Sequence, residues 1–277
     1  MKSILKKCIC SIVAGTALCC SFAFVPTQKA SADVVTETRY YDSPGVMVAS
    51  EMDETISFSR KEETEIVFPY AVPNYYTSDY DNACGPVAGA SVVGYYDKYY
   101  EDLISGYTAY YTANGRYRRP DNTYVPGLIG ELYTLMQTNV VDVGVSEAEC
   151  LDGLRAYVEG KNRSITYTNV KSSSLNEMAY KNAITNQQPV LLFCETTELY
   201  LLDSGETQDD ILYVMSSSSH IVVAYGYYQM KYYDENDVNF RTDVYLKVAT
   251  GWVTNTLGYL KANSTSWLNS AYAVNIT

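Results

Sequence analysis

The order of its patterns predicts an α+β fold, and three observations carry that expectation. Segments with helix-start signals lead, between residues 84 and 177. From Pro189 onward the apolar runs become short, β-branched and period-two, as strands require. Helices followed by strands, with no regular alternation of the two, point away from repeated βαβ units and a parallel sheet. The expected packing is an N-terminal helical half, with a central cysteine-bearing helix, against a C-terminal antiparallel sheet.

Before the helices come two segments of different character. Lys2, Lys6 and Lys7 precede an apolar stretch over residues 9–25, and Ala30-Ser31-Ala32 follows, which predicts a secretory signal peptide over residues 1–32. A membrane anchor fits less well, because Ser, Thr, Gly and Cys interrupt a stretch barely long enough to span. Residues 33–67 are acidic, show little periodicity and end in Arg60-Lys61-Glu62-Glu63, so they read as a pro-segment or a linker. The packed domain is expected over residues 68–277.

The first helix is predicted from Pro86 to about Tyr100, with proline in its first turn, where no N–H is lost. Gly85, Ala88, Gly89, Ala90, Ser91 and Gly94 give it small faces suited to close packing. A Tyr-, Gly- and Arg-rich loop spans residues 105–126, and its Tyr107, Tyr110, Tyr111, Tyr117 and Arg116 are candidates for a cleft rim. A second helix follows over residues 127–138. Ser146-Glu147-Ala148-Glu149 and Ser174-Leu175-Asn176-Glu177 both read as capping boxes that open helices. Strands are predicted over 189–194, 221–230, 244–249 and 271–276, with Asp234-Glu235-Asn236-Asp237 turning the chain between two of them. The 29 tyrosines are mostly expected to pack with their hydroxyls reaching water.

Charge and cysteines narrow the function. Without residues 1–32 the chain keeps 16 basic and 32 acidic residues, a net of −16. That balance argues against nucleic acid and anionic membranes as partners. Cys8, Cys10, Cys19 and Cys20 leave with the signal, so Cys84, Cys150 and Cys194 remain. In an exported protein an odd number means at least one free or intermolecular thiol. Cys150 and Cys194 read either as a disulfide or as two buried thiols.

Cys84 stands immediately before Gly85-Pro86, at the head of the first helix. Unpaired N–H groups and the helix dipole stabilise negative charge there, so the sequence predicts a thiolate-forming cysteine. The chain has one histidine, His220, at the start of an apolar strand after four serines. Together they form a nucleophile and base pair, since imidazole accepts the thiol proton. Cys84, Cys150, Cys194 and His220 do not offer the closely spaced cysteine pair typical of structural zinc. No phosphate-binding or dinucleotide fingerprint is present. No metal and no cofactor are expected.

"VPNYYTSDYDNACGPVAG", "QQPVLLF", "SHIVVAYGYY" and "YLKVATGW" together resemble the papain-like cysteine peptidases, over about residues 70–277. Within them the chain looks most like the peptidases that remove double-glycine leaders from bacteriocins, and their secreted stand-alone relatives. The resemblance implies a papain-like fold with Cys84 as nucleophile and His220 as base, facing each other across a cleft. Two departures stand out. The family places Gln six residues before the cysteine to hold the oxyanion, and this chain has Ser78, leaving Ser78 or Asn82 as side-chain donors beside the Cys84 N–H. It also places Asn or Asp on the strand after the histidine strand, where this chain has Ala249 or Thr250. Thr250, Asn255 and Asp243 are the candidates to orient the imidazole. The expected function is a secreted, monomeric cysteine peptidase acting on a protein or peptide through a thioester. The alternatives are a non-catalytic binding or adhesion module on the same scaffold and a transglutaminase-like acyl transferase, which would want an Asp partner.

Overall fold

The structure is a computed structural model that describes residues 34–42, 44–49, 54–107, 123–204, 209–254 and 256–277. The predicted signal peptide and Tyr110, Tyr111, Tyr117 and Arg116 lie outside the described residues.

The fold is mixed α+β, with four helices against a large antiparallel sheet among the described residues. The helices are α1 (Cys84–Asp97), α2 (Val125–Leu135), α3 (Glu147–Gly160) and α4 (Glu177–Thr185). Four strands precede them, β1 (Val35–Tyr41), β2 (Gly45–Ala49), β3 (Glu54–Phe58) and β4 (Arg60–Val67). Among and after the helices come β5 (Ile165–Asn169), β6 (Val190–Cys194), β7 (Thr197–Ser204) and β8 (Asp209–Ser217). The chain finishes with β9 (His220–Tyr233), β10 (Asn239–Ala249), β11 (Leu257–Lys261) and β12 (Leu268–Ile276). The main sheet runs β5-β12-β6-β9-β10-β11-β7-β8, and β2 and β3 pair separately.

Helix α1 is buried at every position after Cys84, so its sequence is apolar or small all round. It packs between β9 on one side and α2 and α3 on the other. Its glycines permit that closeness. The ring of Tyr75 lies where a Cβ on Gly94 would sit, and the Met136 methyl would be 2.9 Å from one on Gly89. Tyrosines fill the core with their hydroxyls on main-chain acceptors, as in Tyr96 to the Val274 carbonyl at 2.8 Å and Tyr180 to the Gly226 carbonyl at 2.7 Å. Their abundance is thus a packing device, and many of the hydroxyls never reach water.

Strand β9 organises the sheet. One edge pairs with β10, and the other is shared between β6, alongside residues 220–224, and β4, alongside residues 226–233. At the handover Tyr225 is bulged out of the β10 register, and its carbonyl accepts the Phe68 N–H at 3.2 Å. Within the stretch that the sequence reads as a pro-segment or a linker, β1 and β4 are integral to the sheet. Their strand character was masked because charged residues face inward. Lys61 and Glu63 are 0% and 1% exposed and are joined by a 2.6 Å ion pair, with Arg39 3.3 Å from Glu63 on β1.

Candidate active site

Helix α1 begins at Cys84 itself, with Ala83 as its N-cap, and β9 begins at His220. Both residues line one cleft of about 500 Å³. Its other walls include Asn82 and Val87, residues 143–145, Ser218 and Ser219, and the Gly251-Trp252 turn. A second cavity of similar size, about 510 Å³, lies between β7, β11 and the loop before β12, with Glu195, Glu198 and Trp267 in its walls. It contains no cysteine or histidine, so chemistry rather than volume selects the first.

His220 is buried and pairs across the sheet with Cys194. Its Nε2 lies 2.7 Å from the backbone carbonyl oxygen of Thr250. A carbonyl only accepts, so Nε2 carries the proton and Nδ1 of the neutral ring is left to accept one. Trp252 lies over the imidazole with ring centroids 4.9 Å apart and planes 14° from parallel. Burial lowers the His220 pKa from its ordinary value, and the Thr250 carbonyl acts against that shift.

The Cys84 thiol departs from expectation. Burial pushes its pKa up, and the backbone N–H groups of Ile221, Gly85 and Cys84 itself only partly offset this. The helix terminus is present, but desolvation of the half-buried thiol outweighs it. A raised thiol and a lowered imidazole both favour the neutral forms over a thiolate and imidazolium. Cys150 and Cys194 are buried free thiols, which selects the second of the two sequence alternatives. Burial raises both, Cys194 to about 12.

The remaining sequence candidates separate. Thr250 does orient the imidazole, but with its main chain, not its side chain. Asp243 sits opposite Met230, on β10 but about 20 Å along the strand from Ala249 at strand rise. There it binds Arg241 at 2.9 Å and Lys261 at 3.8 Å, so it has no part in holding His220. Asn255 lies outside the described residues. Ser78 is exposed and absent from the cleft walls, so it is not placed as an oxyanion donor. Asn82 does line the cleft, in a left-handed backbone conformation with φ 55°. Its amide donates to Asn139 Oδ1 at 3.1 Å, and Asn139 in turn holds Gly144 N–H at 2.7 Å and the Asp81 carbonyl at 3.1 Å.

Sequence reasoning missed Asn74. Its Oδ1 accepts the Gly251 N–H at 2.7 Å and its Nδ2 donates to the Trp252 carbonyl at 3.0 Å. Among the described residues no group of three or more His, Cys, Asp or Glu is placed to hold a metal ion, and no helix is long and apolar enough to cross a membrane. No family model, no curated protein and no solved structure matches this chain.

Proposed function

We propose that this protein is an exported cysteine peptidase of papain-like architecture. The observation that carries the reading is the sharing of one cleft by Cys84, at the N-terminus of a buried helix, and His220, whose Nε2–H is committed to a main-chain carbonyl. In the proposed reaction Nδ1 of His220 takes the Cys84 proton as the sulfur attacks a peptide carbonyl. The Cys84 N–H, at the helix start, stabilises the oxyanion. Collapse breaks the C–N bond, and the imidazolium returns the proton to the leaving amine. Water, deprotonated by the same imidazole, then resolves the thioester to acid and free thiol. The substrate is a protein or peptide met outside the cell, and the enzyme acts as a monomer without a cofactor.

The test is labelling with a peptidyl chloromethyl ketone, read by mass spectrometry of the mature chain. Selective modification of Cys84, lost in His220→Ala, supports the reading. Indifferent labelling of the three cysteines, or labelling unchanged in His220→Ala, removes it. A binding module on the same scaffold is the second reading, favoured by the raised thiol and lowered imidazole and by the exposed Val143 in the cleft wall. It predicts tight peptide binding with no acyl-enzyme.

A further inference from the structure

We propose that Asn74 is a positioning residue for His220, acting through the backbone of the Thr250-Gly251-Trp252 turn without touching the imidazole. The proposal rests on the reading of His220 as the general base. The Asn74 amide accepts from Gly251 N–H at 2.7 Å and, at 3.5 Å, from Thr250 Oγ1, and donates in the opposite sense to the Trp252 carbonyl at 3.0 Å. Between the two main-chain bonds Gly251 has φ 76°, a left-handed conformation that glycine adopts without strain. Trp252 N–H donates to Thr250 Oγ1 at 3.2 Å, and Thr250 N–H to the Thr256 carbonyl at 3.1 Å, so the turn is held from both sides. What remains directed at His220 is the Thr250 carbonyl, 2.7 Å from Nε2.

Asn74 is itself mounted on the nucleophile's helix. The next residue, Tyr75, is fully buried against Gly94 of α1, and its N–H donates to Ser91 Oγ at 3.4 Å. The clamp thus ties the helix that carries Cys84 to the acceptor that orients the base. It supplies by main-chain geometry what a side-chain amide or carboxylate on the strand after the histidine would supply directly. A carbonyl also fixes the tautomer, because it can accept only from a protonated Nε2.

Because His220 is the sole histidine, ¹⁵N-histidine labelling reports one imidazole. At pH 8 the wild-type spectrum is expected to show protonated Nε2 and unprotonated Nδ1. Asn74→Ala should yield a mixture of both tautomers and lower kcat on fluorescein-labelled casein by about 10- to 100-fold, the scale of loss for a group misplaced by an ångström, with KM unchanged. Asn74→Asp keeps the acceptor for Gly251 N–H and should retain the wild-type tautomer, which covers the case that Asn74→Ala does not fold. A wild-type ring protonated at Nδ1, an unchanged tautomer in Asn74→Ala, or a scrambled one in a folded Asn74→Asp would each overturn the proposal. If casein is not cleaved and Cys84 is not selectively alkylated, the peptidase reading fails, while the imidazole spectrum still decides the clamp.

Discussion

Trp252 lies flat against His220, with centroids 4.9 Å apart and planes 14° from parallel, so its indole covers the ring that donates to Thr250. Such stacking contributes about 0.5–1.5 kcal/mol beyond area burial. Trp252→Ala should lower casein turnover by up to about tenfold. It should also let the His220 pKa rise back towards its ordinary value, because burial is the main cause of its depression. Titration of the single imidazole by NMR checks both the direction and the cause.

The upward shift of the Cys84 thiol sets the expected pH dependence of its alkylation. Its thiol is raised by burial, so iodoacetamide should alkylate it slowly at pH 7 and about tenfold faster per pH unit up to pH 9. Cys150 and Cys194 should stay unmodified in the folded protein, and Cys84→Ser should abolish labelling. A fast plateau below pH 7 would reveal an ion pair and contradict the burial account.

Asp97, at the end of α1, is raised to about 7, first by burial and then by Glu101 and Asp102 against one opposing hydrogen bond from Ile104 N–H. The folded value exceeds the unfolded one, so the folded state binds the proton more tightly. This contribution to stability is whole below pH 4 and is lost as pH rises to 7. Asp97→Asn keeps the acceptor for Ile104 and should match wild type near pH 4. At pH 8 it should be more stable, by on the order of 2 kcal/mol. Urea unfolding at the two pH values measures the difference, and equal slopes for both proteins would refute it.

Lys61 and Glu63 predict an asymmetric response. Glu63 is shared by Lys61 at 2.6 Å, Arg39 at 3.3 Å and the Tyr41 hydroxyl at 3.3 Å. Glu63→Gln removes the carboxylate charge 2.6 Å from a buried ammonium and should cost about 3 kcal/mol or more. Lys61→Met leaves Glu63 with Arg39 and Tyr41 and should cost clearly less. Denaturant midpoints of the two variants, at one pH, decide the order.

Much of the scaffold was legible because local chemistry and tertiary role agree. Cys84-Gly85-Pro86 opens α1, and the Ser146 and Glu149 box caps α3 as its spacing predicts. The box read at Ser174 does not form. Asn176 caps α4 instead, through its bond from Ala179 N–H, and a nearer Asx side chain replaces the serine. β4 escaped reading because alternation was sought in apolar residues, whereas its inward positions hold a buried ion pair. The acceptor on His220 left no trace in side-chain identity, being a carbonyl that any residue provides. Only the Gly251-Trp252 step, a glycine where the chain turns, hinted at it. The raised thiol was equally hidden, since a helix start can be read from sequence and the depth of burial beneath it cannot.

The division of one β9 edge between β6 and β4 also constrains how the chain can be trimmed. A cut that released residues up to Val67 would strip hydrogen-bonding partners from residues 226–233 and leave an unprotected sheet margin rich in tyrosine. Those residues lie about 20 Å or more, at strand rise, from His220, so the loss would not uncover the cleft. Such a product would be prone to pair with a second copy along that margin, with Cys84 and His220 still in place but its solubility compromised. A cut after residue 32 leaves every described strand in place, since the first of them starts at Val35.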